Sequence, residues 1–70
     1  MQLKLTKTER GFKRGEFRDQ YDKLCSLQKS SLATQDCIWL GLDQERMHLT
    51  QEMVAELLPR LEKFVYTGEL

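Results

Sequence analysis

Seventy residues with 11 Lys or Arg, 11 Asp or Glu and no net charge make one domain with a thin core, because so short a chain buries only about 60% of the surface its unfolded form exposes. The balance excludes a binder that holds nucleic acid by overall positive charge. Two cysteines without a secretory leader, and apolar runs far short of the roughly 20 residues that cross a bilayer, argue against a disulfide framework, secretion and membrane insertion; a soluble cytoplasmic protein is expected.

Residues 1–8 alternate apolar and polar side chains through Leu3, Lys4, Leu5 and Thr6, the period of a strand with one wet face. Glu9, Arg10 and Gly11 read as a turn. Residues 12–19 form a second strand crowded by charge, with a bulge expected at Gly15, and Tyr21, Asp22 and Lys23 turn the chain again. Residues 24–30 alternate once more, with Cys25 and Leu27 on one face and Ser26 and Gln28 on the other. A polar loop follows over 30–35.

Residues 37–42 are the strongest strand, since Ile38, Trp39, Leu40 and Leu42 are good strand formers in a short bounded run. Asp43, Gln44 and Glu45 close a hairpin into a strand over 46–49. Thr50 is placed to cap a helix, in which Met53, Val54, Leu57, Leu58, Leu61, Phe64 and Val65 recur every three or four residues as one apolar stripe. Pro59 should bend this helix, and Gly68 should end it. The whole reads as a single α+β domain over 1–70: a small antiparallel sheet of four to five strands with one C-terminal helix packed on one face. Met53, Leu57, Leu61 and Phe64 are then expected to be buried against Ile38, Leu40 and Leu42.

Catalytic and metal chemistry find little support. Cys25, Cys37 and His48, with Asp36 as a fourth donor, match no familiar metal spacing, and no nucleophile signature accompanies His48. Glu52, Glu56 and Glu62 fall on the polar side of the helix, where Glu56 and Arg60 are spaced for a weak pair. No catalytic residue, metal site or cofactor is assigned.

Charge is uneven along the chain: residues 1–30 hold eight basic and four acidic side chains, +4, so residues 31–70 carry −4. Such a dipole can steer toward a charged partner. Lys7, Arg10, Lys13, Arg14 and Arg18, with Phe12 and Phe17 between them, are the one feature suited to nucleic acid, but four acids dilute the run. Trp39 is more informative. If Ile38, Leu40 and Leu42 meet the helix, Trp39 shares the other face with Cys37 and Gly41, where a single helix cannot also reach. Either it packs under the N-terminal strand or the 30–35 loop, or another chain covers it.

The strings GEFRDQYDKLCSLQKSSLAT from Gly15, IWLGL from Ile38 and RMHLTQEMVAELLPRLEKFVYTGEL from Arg46 resemble a family of small uncharacterised proteins found mostly in bacteriophages and prophages. Many members carry an additional segment where this chain has only Gln44 and Glu45, so a role residing in that segment would be missing or altered. The resemblance implies a non-catalytic phage-encoded interaction module, of the kind that inhibits a host defence protein, as anti-CRISPR proteins do. Its partner is expected to be a host protein. A homodimeric accessory module is the alternative, and nucleic acid the less favoured partner. The candidate interaction residues are Trp39, Phe17, Tyr21, Arg14 and Arg18.

Overall fold

The computed structural model describes residues 2–70. Among them five strands precede one helix: β1 (Thr6–Lys7), β2 (Lys13–Arg18), β3 (Leu24–Lys29), β4 (Cys37–Leu42), β5 (Glu45–Thr50) and α1 (Gln51–Thr67). Each strand pairs antiparallel with the next, giving a meander in sheet order β1-β2-β3-β4-β5, the arrangement that short turns between consecutive strands favour. The expected α+β class is therefore found.

Register sorts the side chains onto two faces. Cys25 lies opposite Leu42 and Leu27 opposite Leu40, while Leu40 lies opposite Met47 and Ile38 opposite Leu49. With Phe17, which pairs with Cys25, these residues form an aliphatic face. Gln28 is opposite Trp39 and Trp39 opposite His48, which defines a tryptophan face on the other side.

Three strand readings need correction. Regular pairing of the first strand is confined to Thr6 and Lys7, and Met1 lies outside the described residues. Residues 2–5 instead cross the sheet at Gly15, where a Cβ would stand 2.8 Å from Leu3 Cδ1, 2.9 Å from Leu5 Cδ2 and 2.9 Å from the Lys4 carbonyl oxygen. Gly15 is thus needed for close approach, and the pairing of Arg14, Gly15 and Glu16 with Gln28, Leu27 and Ser26 runs through it without a bulge. Glu45 belongs to β5 and pairs with Leu42, so the hairpin loop is Asp43 and Gln44 alone. Gly15→Ala is expected to cost about 1–3 kcal/mol, because a backbone carbonyl must move to admit the methyl group. Urea unfolding checks this; unchanged stability would show that residues 2–5 do not lie on the sheet.

The helix is capped as its sequence implies. Thr50 Oγ1 accepts the Met53 N–H at 3.1 Å, and Gly68, at φ 76°, adopts the left-handed conformation that favours glycine and donates to the Phe64 carbonyl. Helix continues through Pro59. The Glu56–Arg60 pair is not formed; Arg60 Nη1 donates to the Leu70 carbonyl at 3.3 Å.

The expected packing of the helix on its own sheet is overturned. Met53, Leu57, Leu61 and Phe64 are all exposed, and no residue of α1 is buried. The reason is the connection. Thr50 is both the last residue of β5 and the cap of α1, so no linker lets the helix double back. Only its first turns approach the sheet, where Val54 and Ala55 face Ile38 and Leu49 across an open groove. The buried apolar residues of the sheet are just Cys25 and Cys37, one from each face.

Candidate functional site

Trp39 is half-buried on the tryptophan face, and the cross-strand register explains its surroundings. His48, directly opposite on β5, stacks on the indole with ring centroids 4.0 Å apart and planes 16° from parallel. Arg46, two residues earlier on the same face, holds its guanidinium carbon 5.3 Å from the centre of the indole, within the range of a cation–π contact. His48 Nε2 lies 3.0 Å from Ser30 Oγ.

Gln28 ties this group to β2. Its Oε1 accepts from Arg46 Nη1 at 2.8 Å and from Arg14 Nη1 at 2.7 Å, and two guanidinium donors leave the amide only that orientation. Arg14 Nη2 also donates to Asp43 Oδ1 at 2.6 Å. This partly exposed ion pair adds about 1 kcal/mol or less, so its main effect is to fix the position of Arg14. Arg14, Gln28, Trp39, Arg46 and His48 form a belt across four strands.

Of the five residues expected to act together, the structure joins Trp39 and Arg14 through Gln28. Arg18 shares the tryptophan face but lies at its other end, beside Leu24, where Nη1 donates to the Asp22 carbonyl at 3.2 Å. Tyr21 stands in the adjoining turn, 82% exposed, with its N–H on Asp19 Oδ1 at 2.9 Å. Phe17 is on the opposite face, so it does not belong with Trp39. Sequence reasoning missed Arg46, His48, Gln28 and Asp43. A two-residue loop of Asp43 and Gln44 would have revealed two of them, because it sets Trp39 opposite His48 and Gly41 opposite Arg46.

The same alternation divides the basic run. Lys7 and Lys13 pair directly and share the aliphatic face with Phe17, whereas Arg14 and Arg18 point the other way. No single surface gathers the five cations. No DNA or RNA complex of sub-micromolar affinity is therefore expected near physiological salt, a point that fluorescence anisotropy at graded salt decides; a complex lost on reversing Lys13, Arg14 and Arg18 would contradict it.

Neither cysteine is in a disulfide, and both are buried. They lie at opposite ends of β4 pairing, since Cys25 faces Leu42 while Cys37 faces Thr50. Among the described residues no three His, Cys, Asp or Glu side chains gather as a metal site, and no helix is long and apolar enough to cross a membrane. Comparison with protein-family models, curated proteins and solved structures returns no match.

Proposed function

We propose that this chain is a non-catalytic protein-interaction module that engages a host protein through its tryptophan face, in keeping with the resemblance to phage-encoded proteins and with inhibition of a host defence protein as its role. The observation that carries the reading is the belt around Trp39. Tryptophan and arginine are enriched among the residues that dominate interface energy, and here Arg46 lies over a half-exposed indole while Gln28 ties it by hydrogen bonds to Arg14. Little side-chain entropy remains to be lost on binding. The cations suit a partner surface with an apolar pocket for the indole edge and carboxylates around it.

Affinity capture of the tagged protein from lysogenic host cells tests this, with Trp39→Ala and Arg46→Glu captured in parallel. The expected result is one host protein in stoichiometric yield with the native chain and its loss with both variants. Recovery of the chain with itself alone would favour the homodimeric alternative, and nuclease-sensitive recovery a nucleic-acid partner.

A further inference from the structure

The chain exposes more surface than a closed fold of its size. A folded 8.3 kDa monomer exposes roughly 4,600 Å², whereas this one exposes 6085 Å², about 1,500 Å² more than that scaling gives. Its radius of gyration of 13.2 Å likewise exceeds the roughly 11 Å of a compact domain of this length. An excess of that size is in the range each subunit of an obligate homodimer covers, since such interfaces bury about 2,000 Å² or more in total.

The uncovered surface has two parts that fit each other. One is the stripe of α1, where Met53 is 50%, Leu57 43%, Leu61 52% and Phe64 56% exposed. The other is the part of the aliphatic face over β4 and β5, beyond the residues 2–5 that lie over Gly15, where Leu40 is half-buried and Met47 is 52% exposed. Within one chain they meet only at Val54, in the first turns of the helix, because β5 runs into α1 at Thr50 without a loop.

We propose that a second copy of this chain supplies the cover, with α1 of each protomer lying across the aliphatic face of the other. A two-fold exchange of this kind satisfies both exposed surfaces at once. Pairing helix with helix would leave both sheets bare. The stripe is also too broad for a coiled-coil seam: at 100° per residue its seven members cover a sector of about 140°, suited to lying on a sheet. Dimensions agree, since 17 helical residues span about 25 Å and six-residue strands about 20 Å.

Charge agrees as well. Residues 51–70 carry four acids, Glu52, Glu56, Glu62 and Glu69, against Arg60 and Lys63, hence −2, while the strand positions of the aliphatic face carry Lys7, Lys13 and Lys29 against Glu45, hence +2. Helix against sheet brings opposite signs together; helix against helix does not. The open groove of ≈730 Å³ between Val54, Ala55, Ile38 and Leu49 admits the partner's helix beside the root of the first. The exchange uses the face opposite Trp39, so it stands or falls apart from the function proposed for that residue.

The test is sedimentation equilibrium of the full chain together with isotope-filtered NOE spectroscopy on a mixture of labelled and unlabelled protein. A dimer with interchain contacts from Leu57, Leu61 and Phe64 to Leu40 and Met47 is expected, and Leu61→Asp should convert it to monomer. A monomer at NMR concentration overturns the exchange, whether its stripe stays exposed or folds onto its own sheet. So does a dimer whose interchain contacts run only from helix to helix. None of these outcomes alters the capture result for Trp39→Ala, which reads the other face.

Discussion

Truncating Leu57 to alanine is expected to destabilise the assembled protein by about 2–5 kcal/mol per buried site, whereas in a separate chain the same change would cost no more than about 0.5 kcal/mol. The difference arises because Leu57 is 43% exposed in one chain and lies at the middle of the stripe that a second copy covers. Losing its isobutyl group inside that contact removes transfer energy and leaves a cavity between helix and sheet. Two features of urea unfolding check this. The native midpoint should rise with protein concentration, as mass action requires of a dimer that unfolds to monomers, and Leu57→Ala should lower it at every concentration. A midpoint indifferent to both would mean that the stripe is not buried in solution.

Replacing Trp39 with alanine is expected to weaken the proposed complex with a host protein by about 2 kcal/mol or more, about thirty-fold in affinity. The sheet should survive. The indole is half-buried and its direct stacking partner is one side chain, His48, whose ring contact adds about 0.5–1.5 kcal/mol beyond area burial. The flanking positions on β4 are Cys37 and Gly41, small enough to leave shallow ground beside the ring. Circular dichroism of the variant reads folding, and a pull-down reads association. His48→Ala is the control: it removes the stacking partner and leaves the indole, so it should bind more tightly than Trp39→Ala. Outright unfolding of Trp39→Ala would make the indole a structural element, and normal association by a folded variant would move the working surface elsewhere.

The sheet was largely legible because its information is local. Alternation through Cys25 and Leu27, and through Ile38, Leu40 and Leu42, assigns faces without reference to any distant residue, and Thr50 and Gly68 mark the helix by chemistry confined to one turn at each end. Gly15 shows where local reading ends. A glycine amid charged strand residues suggests a bulge, yet what it accommodates is the backbone at Lys4, eleven positions earlier, and only the folded chain brings the two together. The belt around Trp39 was half legible. Its tryptophan and Arg14 stand out by type, but Gln28, Arg46 and His48 join them through register, and for Arg46 and His48 a one-residue error at Glu45 was enough to hide it.

By itself the sequence determined the elements of this protein, the two faces of its sheet and the presence of a broad apolar stripe on its helix, because each is written in spacing along a short segment. Tertiary structure alone decided where that stripe goes. Periodicity says that a helix has an apolar side to bury, but the direction in which the helix leaves its strand depends on the backbone at the junction. Here Thr50 serves strand and cap together, and the absence of a linker carries the stripe away from the sheet that its own pattern is suited to cover.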